Sequence, residues 1–240
     1  MPNDYFQLKQ FTIYQHNVAM KVGTDCILLG AWTKVDASKN SRALDIGAGS
    51  GILSIMLAQR SANIFVDGVE IDKQAFLQAL ENINLCPWAD RICLCNNSFQ
   101  EFARKNKEKY ELIISNPPYF IQLLSSPDEQ RNMARHSDFL SQEDLLDGVL
   151  KVLKPDGIFS VVFPVTEGLS FIQKAERQGL YCNRKTSVKA NPQKEAKRLL
   201  LQFSMIKTTV EEAVLCIDTG VRHQYSPEYI ELTKDFYLNF

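Results

Sequence analysis

The chain has 240 residues, 45% hydrophobic and 23% charged, the balance of a globular protein rather than a disordered one. At this length roughly 70–75% of the unfolded chain's surface can be buried, so the core needs neither disulfides nor a structural metal to supplement it. Lys and Arg number 27 against 28 Asp and Glu, a net charge of −1, so contact with nucleic acid has to come from a local basic patch. With 11 Gly, 9 Pro and no repeat, collagen, coiled-coil and low-complexity classes are excluded.

The opening Met1-Pro2-Asn3-Asp4 lacks the cationic and apolar stretches of a targeting signal. The longest apolar runs, such as 158–165, fall far short of the ~20 residues that span a bilayer. A soluble, cytoplasmic protein without a membrane partner is expected. The six cysteines form no Cys-x-x-Cys pair and have no His at zinc spacing, which predicts reduced, mostly buried thiols and no metal. Cys93 and Cys95 fall on one face of a predicted strand, where small core residues are the better reading.

From about residue 42 the sequence alternates short apolar runs with helical stretches, the pattern of crossover units on a parallel sheet. Strands are predicted over 42–47, 65–71, 91–96, 110–115 and 158–165, each continuously apolar and so covered on both faces. Helices are predicted over 52–60, 73–83, 99–105, 142–153 and 167–178. Lys154-Pro155-Asp156-Gly157 reads as the stop of the fourth helix and a turn into the next strand. Two β-rich runs, 186–190 and 198–206, flank a long hairpin-like connection, so the sheet is expected to finish with an antiparallel pair. Ser226-Pro227-Glu228 is a helix start ahead of 229–237.

Asp45-Ile46-Gly47-Ala48-Gly49-Ser50-Gly51 follows the first of these strands and opens a helix, the place where a glycine turn lets backbone approach a nucleotide-like ligand. The spacing is G-x-G-x-G, and Ile52 stands where a dinucleotide fingerprint needs Gly or Ala, which disfavours hydride transfer. The second strand ends at Val69-Glu70-Ile71-Asp72, placing Glu70 where a carboxylate can accept from both hydroxyls of a ribose. Loop and carboxylate together resemble the cofactor site of class I S-adenosylmethionine-dependent methyltransferases.

Asn116-Pro117-Pro118-Tyr119 stands at the tip of the fourth strand. A planar NH₂ group is a poor nucleophile because its lone pair is delocalised. Two acceptors, the Asn116 side-chain oxygen and the Pro117 carbonyl, can hold its hydrogens so that the lone pair faces an electrophilic methyl group. Tyr119 is placed to stack on the planar group, a contact worth ~1–3 kcal/mol for a base. The tetrapeptide resembles the motif of amino-methyltransferases that act on adenine N6, cytosine N4, guanine N2 or glutamine amides. It specifies the acceptor group, and leaves open a protein glutamine as substrate, or a silent S-adenosylmethionine-binding module.

The segment 11–25, the glycine loop, Val69–Asp72, Asn116–Phe120, Ala134-Arg135-His136 and Phe236-Tyr237-Leu238 together resemble the bacterial tRNA1(Val) adenine-37 N6-methyltransferase family over nearly the whole chain. The resemblance implies a Rossmann-like α/β fold with a mostly parallel seven-stranded sheet and an antiparallel C-terminal pair. It implies one domain: 1–41 covering the site, 42–206 forming the sheet core, and 207–240 a C-terminal extension. It implies S-adenosylmethionine as cofactor, tRNA as substrate and a monomer. Catalytic candidates are Asn116, Pro117 and Tyr119; cofactor candidates are Lys21, Thr24, Asp45, Gly47, Gly49, Gly51, Glu70 and Ser98. Asn96-Asn97-Ser98 stands where an acidic residue often meets the cofactor's adenine, and Cys26 where Gly or Ala is expected. Substrate candidates are Phe120, Arg135, His136, Lys194, Lys197 and Arg198. The last three belong to a basic stretch, 184–198, in which six basic residues against Glu195 give +5.

Overall fold

A computed structural model describes residues 4–18, 20–118, 140–221 and 224–240. Two short antiparallel strands, β1 (Tyr5–Gln7) and β2 (Thr12–Tyr14), lead into α1 (Thr24–Trp32). The alternating region follows as β3 (Ser41–Ile46), α2 (Ile52–Arg60), β4 (Ile64–Glu70), α3 (Lys73–Asn84), β5 (Ile92–Asn96), α4 (Phe99–Lys105) and β6 (Tyr110–Ser115). After it come α5 (Gln142–Val152), β7 (Leu153–Pro164), α6 (Val165–Arg177), β8 (Tyr181–Lys189), β9 (Ala196–Ser204), β10 (Glu211–Cys216) and α7 (Pro227–Thr233).

The main sheet runs β10-β8-β9-β7-β6-β3-β4-β5, with β9 antiparallel to both its neighbours and every other pairing parallel. The chain leaves β3 toward β4 and β5 on one side and returns to β6 on the other, which makes the β3/β6 boundary the switch point where open α/β sheets bind ligands. The sheet has eight strands among the described residues where seven are expected. The extra strand, β10, is a largely exposed edge paired in parallel with β8.

Alternating side chains feed two cores. On β9, Leu200 packs with α1 and α2, while Leu199, Leu201 and Phe203 pack with α5 and α6. On β7, Val162 joins the first core and Phe159, Val161 and Phe163 the second. A strand that feeds two cores has to be apolar at every position, hence the unbroken runs.

Two expectations need correction. Residues 154–157 are not a turn: they lie within β7, whose register on β6 passes from Tyr110↔Leu153 to Leu112↔Ile158, so a bulge takes up the extra residues. A Cβ on Gly157 would meet the Tyr110 carbonyl oxygen at 2.8 Å, so this glycine serves close backbone approach. The cysteines are not mostly buried: Cys26 and Cys86 are, Cys93 is exposed, and Cys95, Cys182 and Cys216 are half-buried. Cys93 and Cys95 sit on β5, the edge strand opposite β10, which pairs with β4 alone among the described residues.

The predicted start of the last helix is present, with the Ser226 hydroxyl accepting from the Tyr229 N–H and Pro227 in the first turn. Among the described residues no helix is long and apolar enough to cross a membrane, and no group of three or more His, Cys, Asp or Glu could hold a metal ion.

Candidate active site

Four strand ends align at the switch point. Ile46 pairs with Val69 on one side and Ser115 on the other, and Glu70 pairs with Asn96. The Ser115 hydroxyl donates to the Ile46 carbonyl at 2.8 Å, locking the tips of β3 and β6 together. Gly47 and Asn116, the next residue on each strand, therefore emerge side by side.

The glycine loop is braced from beneath. Gly47 and Ala48 both donate to the Val69 carbonyl, at 2.9 and 3.1 Å. Asp45 is fully buried, and its Oδ2 accepts from the Ser54 backbone N–H at 3.0 Å and the Ser54 hydroxyl at 2.7 Å. Burial raises this carboxyl from the ordinary Asp range to about 7, against the Ser54 hydrogen bonds, which pull it down; the nearby Glu70 charge adds to the rise. Gly47 and Gly49 have φ of +70° and +56°, the left-handed region where a side chain is strained. A Cβ at Gly47 would meet nothing within 4 Å, and one at Gly49 only the Gly47 oxygen at 3.9 Å. Those two positions border open space rather than packed protein.

That space is a cleft of about 450 Å³. Lys21, Gly47, Gly49, Glu70 and Asn116 line it, so the structure brings together five of the residues singled out in the sequence, with Pro118 beside them. The Glu70 carboxylate accepts from the Gly49 N–H at 2.7 Å and the Asp72 N–H at 2.8 Å, which fixes its orientation at the cleft wall. The mostly apolar lining, the bare backbone of Gly47 and Gly49 and this fixed carboxylate suit a nucleoside with an aliphatic tail, and S-adenosylmethionine has that form.

Other sequence candidates lie outside the lining. Thr24 is the exposed first residue of α1, and Asp45 sits beneath the loop. Gly51 packs toward Ala79 and Ile83 of α3. Ser98 caps α4 by accepting from the Glu101 N–H at 3.2 Å, and it is the neighbours Asn97, Phe99 and Gln100 that face the cleft. Pro117, the residue after Asn116, is buried. Tyr119, Phe120, Arg135 and His136 lie outside the described residues. Residues missed by the sequence reading include Met20, Phe99, Gln100 and Leu140. The Ser98-x-x-Glu101 pattern, which announces a helix start at a strand tip, is the signal that could have pointed to Phe99 and Gln100.

The N-terminal strands are tied to the same loop. Asn82 of α3 accepts from the Tyr14 N–H at 2.8 Å and donates to the carbonyls of Tyr14 and Ser50, each at 2.9 Å. On the other flank, Arg198 of β9 pairs with Pro164 at the end of β7, and Lys189 ends β8, so the β8–β9 connection projects from the end of the sheet that carries Asn116. Lys194 and Lys197 are exposed there. The basic stretch is weaker than its sequence count. Glu211 and Glu212 of β10 pair with Arg184 and Lys185, and Asp25 pairs with Arg198. Those three carboxylates, with Lys34 sharing Glu211 at 3.1 Å, reduce the +5 of six basic residues and Glu195 to +3. Arg184 also stacks on Trp32, its guanidinium carbon 4.2 Å from the ring centre.

The methyltransferase small domain family matches residues 20–168. The chain is 48% identical over 240 residues to a protein of Bacteroides fragilis (strain YCH46), with 99% of each covered. It is 44% identical over 242 residues to one of Trichodesmium erythraeum (strain IMS101), with all of each covered. Both relatives are named tRNA1(Val) (adenine(37)-N6)-methyltransferase. Among solved structures, a protein of Agrobacterium tumefaciens described as a predicted O-methyltransferase shares the fold, with a TM-score of 0.71 at 18% identity over 88% of this chain and 96% of that one. A type I restriction-modification methyltransferase subunit of Streptococcus thermophilus has a TM-score of 0.60 at 15% identity, over 90% of this chain and 52% of that one. Those two likenesses speak for the fold, whereas full-length identity at the level of the curated relatives reaches further: this chain belongs to the tRNA1(Val) (adenine(37)-N6)-methyltransferase family.

Proposed function

We propose that the chain methylates the exocyclic N6 of an adenine in tRNA, adenine 37 of a valine tRNA being the position named for its relatives. The observation that carries this reading is the pairing of Ile46 with Ser115, which sends the glycine loop and Asn116 into one cleft. S-adenosylmethionine supplies, when bound, a methyl group on a positively charged sulfur. Gly47 and Gly49 leave the backbone bare for it, Glu70 takes the ribose hydroxyls, and Lys21 faces the carboxylate of its amino-acid end.

At the other wall the Asn116 side-chain oxygen and the Pro117 carbonyl accept the two amine hydrogens. Holding both hydrogens in plane aims the nitrogen lone pair out of plane toward the methyl carbon. As the C–N bond would form, the methyl–sulfur bond would break to leave S-adenosylhomocysteine. The positive charge would pass from sulfur to nitrogen, where these two oxygens stabilise it, and the surplus amine proton would then be lost to solvent, so no strong base is required for the transfer step. The motif assigns Tyr119 to stacking on the base. A base stacked within the RNA cannot present its amine in this way, so the target has to be splayed into the cleft. Lys194, on the β8–β9 connection, and Lys197, at the start of β9, are assigned to tRNA phosphates. One chain supplies both walls, so a monomer suffices.

The test is incubation with methyl-labelled S-adenosylmethionine and total tRNA, followed by digestion to nucleosides. Label in N6-methyladenosine is expected. Label confined to another nucleoside, or to protein glutamine, overturns the reading.

A further inference from the structure

Arg198 differs from Lys194 and Lys197 of the β8–β9 hairpin in what holds it. Its Nε donates to Asp25 Oδ2 at 2.7 Å and one terminal nitrogen donates to the Lys197 carbonyl at 3.0 Å. The two side chains are 25% and 26% exposed, whereas Lys194 and Lys197 stand in solvent. Arg198 also lies within the ladder, opposite Pro164 of β7 and Val188 of β8, so it is rooted in the rigid sheet.

Its partner belongs to a wall of the cleft. Asp25 is in the first turn of α1, and Lys21, Val22 and Cys26 around it line the cleft. The near end of this wall is held by the Val22 N–H donating to Gln15 Oε1 at 2.8 Å and by Lys21 facing Asp4 at 3.5 Å. Within it the Cys26 thiol donates to the Gly23 carbonyl at 2.9 Å. The far end is held to the sheet by Asp25 and Arg198, 173 residues apart in sequence. A guanidinium engaged by a carboxylate and a backbone carbonyl is fixed in direction, which suits it to holding a wall in place.

We propose that Asp25 and Arg198 are positioning residues, their ion pair fastening the 21–26 wall of the cofactor cleft to the base of the basic hairpin, so that cofactor affinity depends on the pair. Arg198 then acts on the reaction through the cleft, and phosphate contact falls to Lys194 and Lys197. The inference rests on reading the cleft as the S-adenosylmethionine site.

The two roles for Arg198 predict opposite responses to removing the Asp25 charge. A phosphate ligand freed from a competing carboxylate binds RNA more tightly, while a latch that loses its partner loosens the wall. The test is calorimetric titration of S-adenosylhomocysteine into the wild type, Asp25→Asn, Arg198→Gln and the double variant. Filter binding of tRNA is measured in parallel, and folding is checked by circular dichroism. Each single variant is expected to bind S-adenosylhomocysteine about five-fold more weakly, the double no worse than the weaker single, and Arg198→Lys within about two-fold of wild type. Amide exchange over 21–26 in the free protein should rise in Asp25→Asn, with tRNA affinity no tighter. Unchanged S-adenosylhomocysteine affinity in folded Asp25→Asn, fully additive losses, or tRNA affinity raised several-fold overturns the proposal. If Arg198→Gln does not fold, Asp25→Asn and Arg198→Lys decide by the same criteria. Failure of the tRNA reading shows separately, as a wild type that binds S-adenosylhomocysteine and does not methylate tRNA.

Discussion

Glu70 Oε2 accepts a 2.7 Å hydrogen bond from the Gly49 N–H, so the carboxylate assigned to the ribose also props the glycine loop that faces it. Glu70→Ala removes both functions at once. Hydrogen bonds to a charged group contribute about 1.5–3 kcal/mol, so S-adenosylhomocysteine affinity should fall by at least about ten-fold in calorimetry. Retention of full affinity removes Glu70 from the cofactor site.

Asn116 allows binding and chemistry to be separated, because it lines the cleft from β6 while the cofactor contacts assigned above come from the other side. Asn116→Ala should lower turnover by about 10²–10³, the usual loss for one preorganised polar group aimed at developing charge. Cofactor affinity should stay within about two-fold. Turnover near the wild-type rate excludes the assigned role.

The fold was legible wherever burial imposes a pattern. Strands β3, β4, β6 and β7 feed cores on both faces, so their apolar runs stand out in the sequence. The glycine loop was legible because φ of +70° and +56° at Gly47 and Gly49 restricts those positions almost to one residue type. By contrast β10, reading Glu211-Glu212-Ala213-Val214-Leu215-Cys216, buries little beyond Leu215 and so carries no strong periodic signal. Its carboxylates partner Arg184 and Lys185 through a parallel pairing that a count along the chain cannot show, and for that reason the basic stretch seemed stronger than it is. Asp45 and Gly51 were read as cofactor contacts because they share a motif with Gly47 and Gly49. In the structure Asp45 accepts from Ser54 and Gly51 packs toward α3, both outside the cleft lining.

Lys194 and Lys197 are exposed on the hairpin at the catalytic end of the sheet. Neutralising both to Gln should reduce the slope of log affinity for tRNA against log salt by roughly 1.5, at about 0.7–0.9 per phosphate contact. Filter binding across a salt series measures this. An unchanged slope places the RNA footprint elsewhere.

Asp45 introduces a pH dependence of stability with an unusual sign for a carboxylate. Burial raises its folded-state value from 3.8 to about 7, so between those limits the folded chain keeps a proton that the unfolded chain has lost. Its contribution is complete below 3.8 and is lost as the pH rises through about 7, by up to roughly 4 kcal/mol. Asp45→Asn retains an acceptor for Ser54 without the buried charge. In urea unfolding its stability relative to wild type should therefore improve from pH 5 to about pH 7 and level off above that. Parallel pH profiles for the two proteins contradict this.

Transfer to one exocyclic amine is tested most directly with two anticodon stem–loops of a valine tRNA, one carrying adenine at position 37 and the other purine, which lacks the amine. With labelled S-adenosylmethionine, label should enter the first alone, as N6-methyladenosine, and the purine RNA should compete for binding without being methylated. Equal labelling of both RNAs, or of neither while total tRNA is labelled, contradicts methylation at that amine.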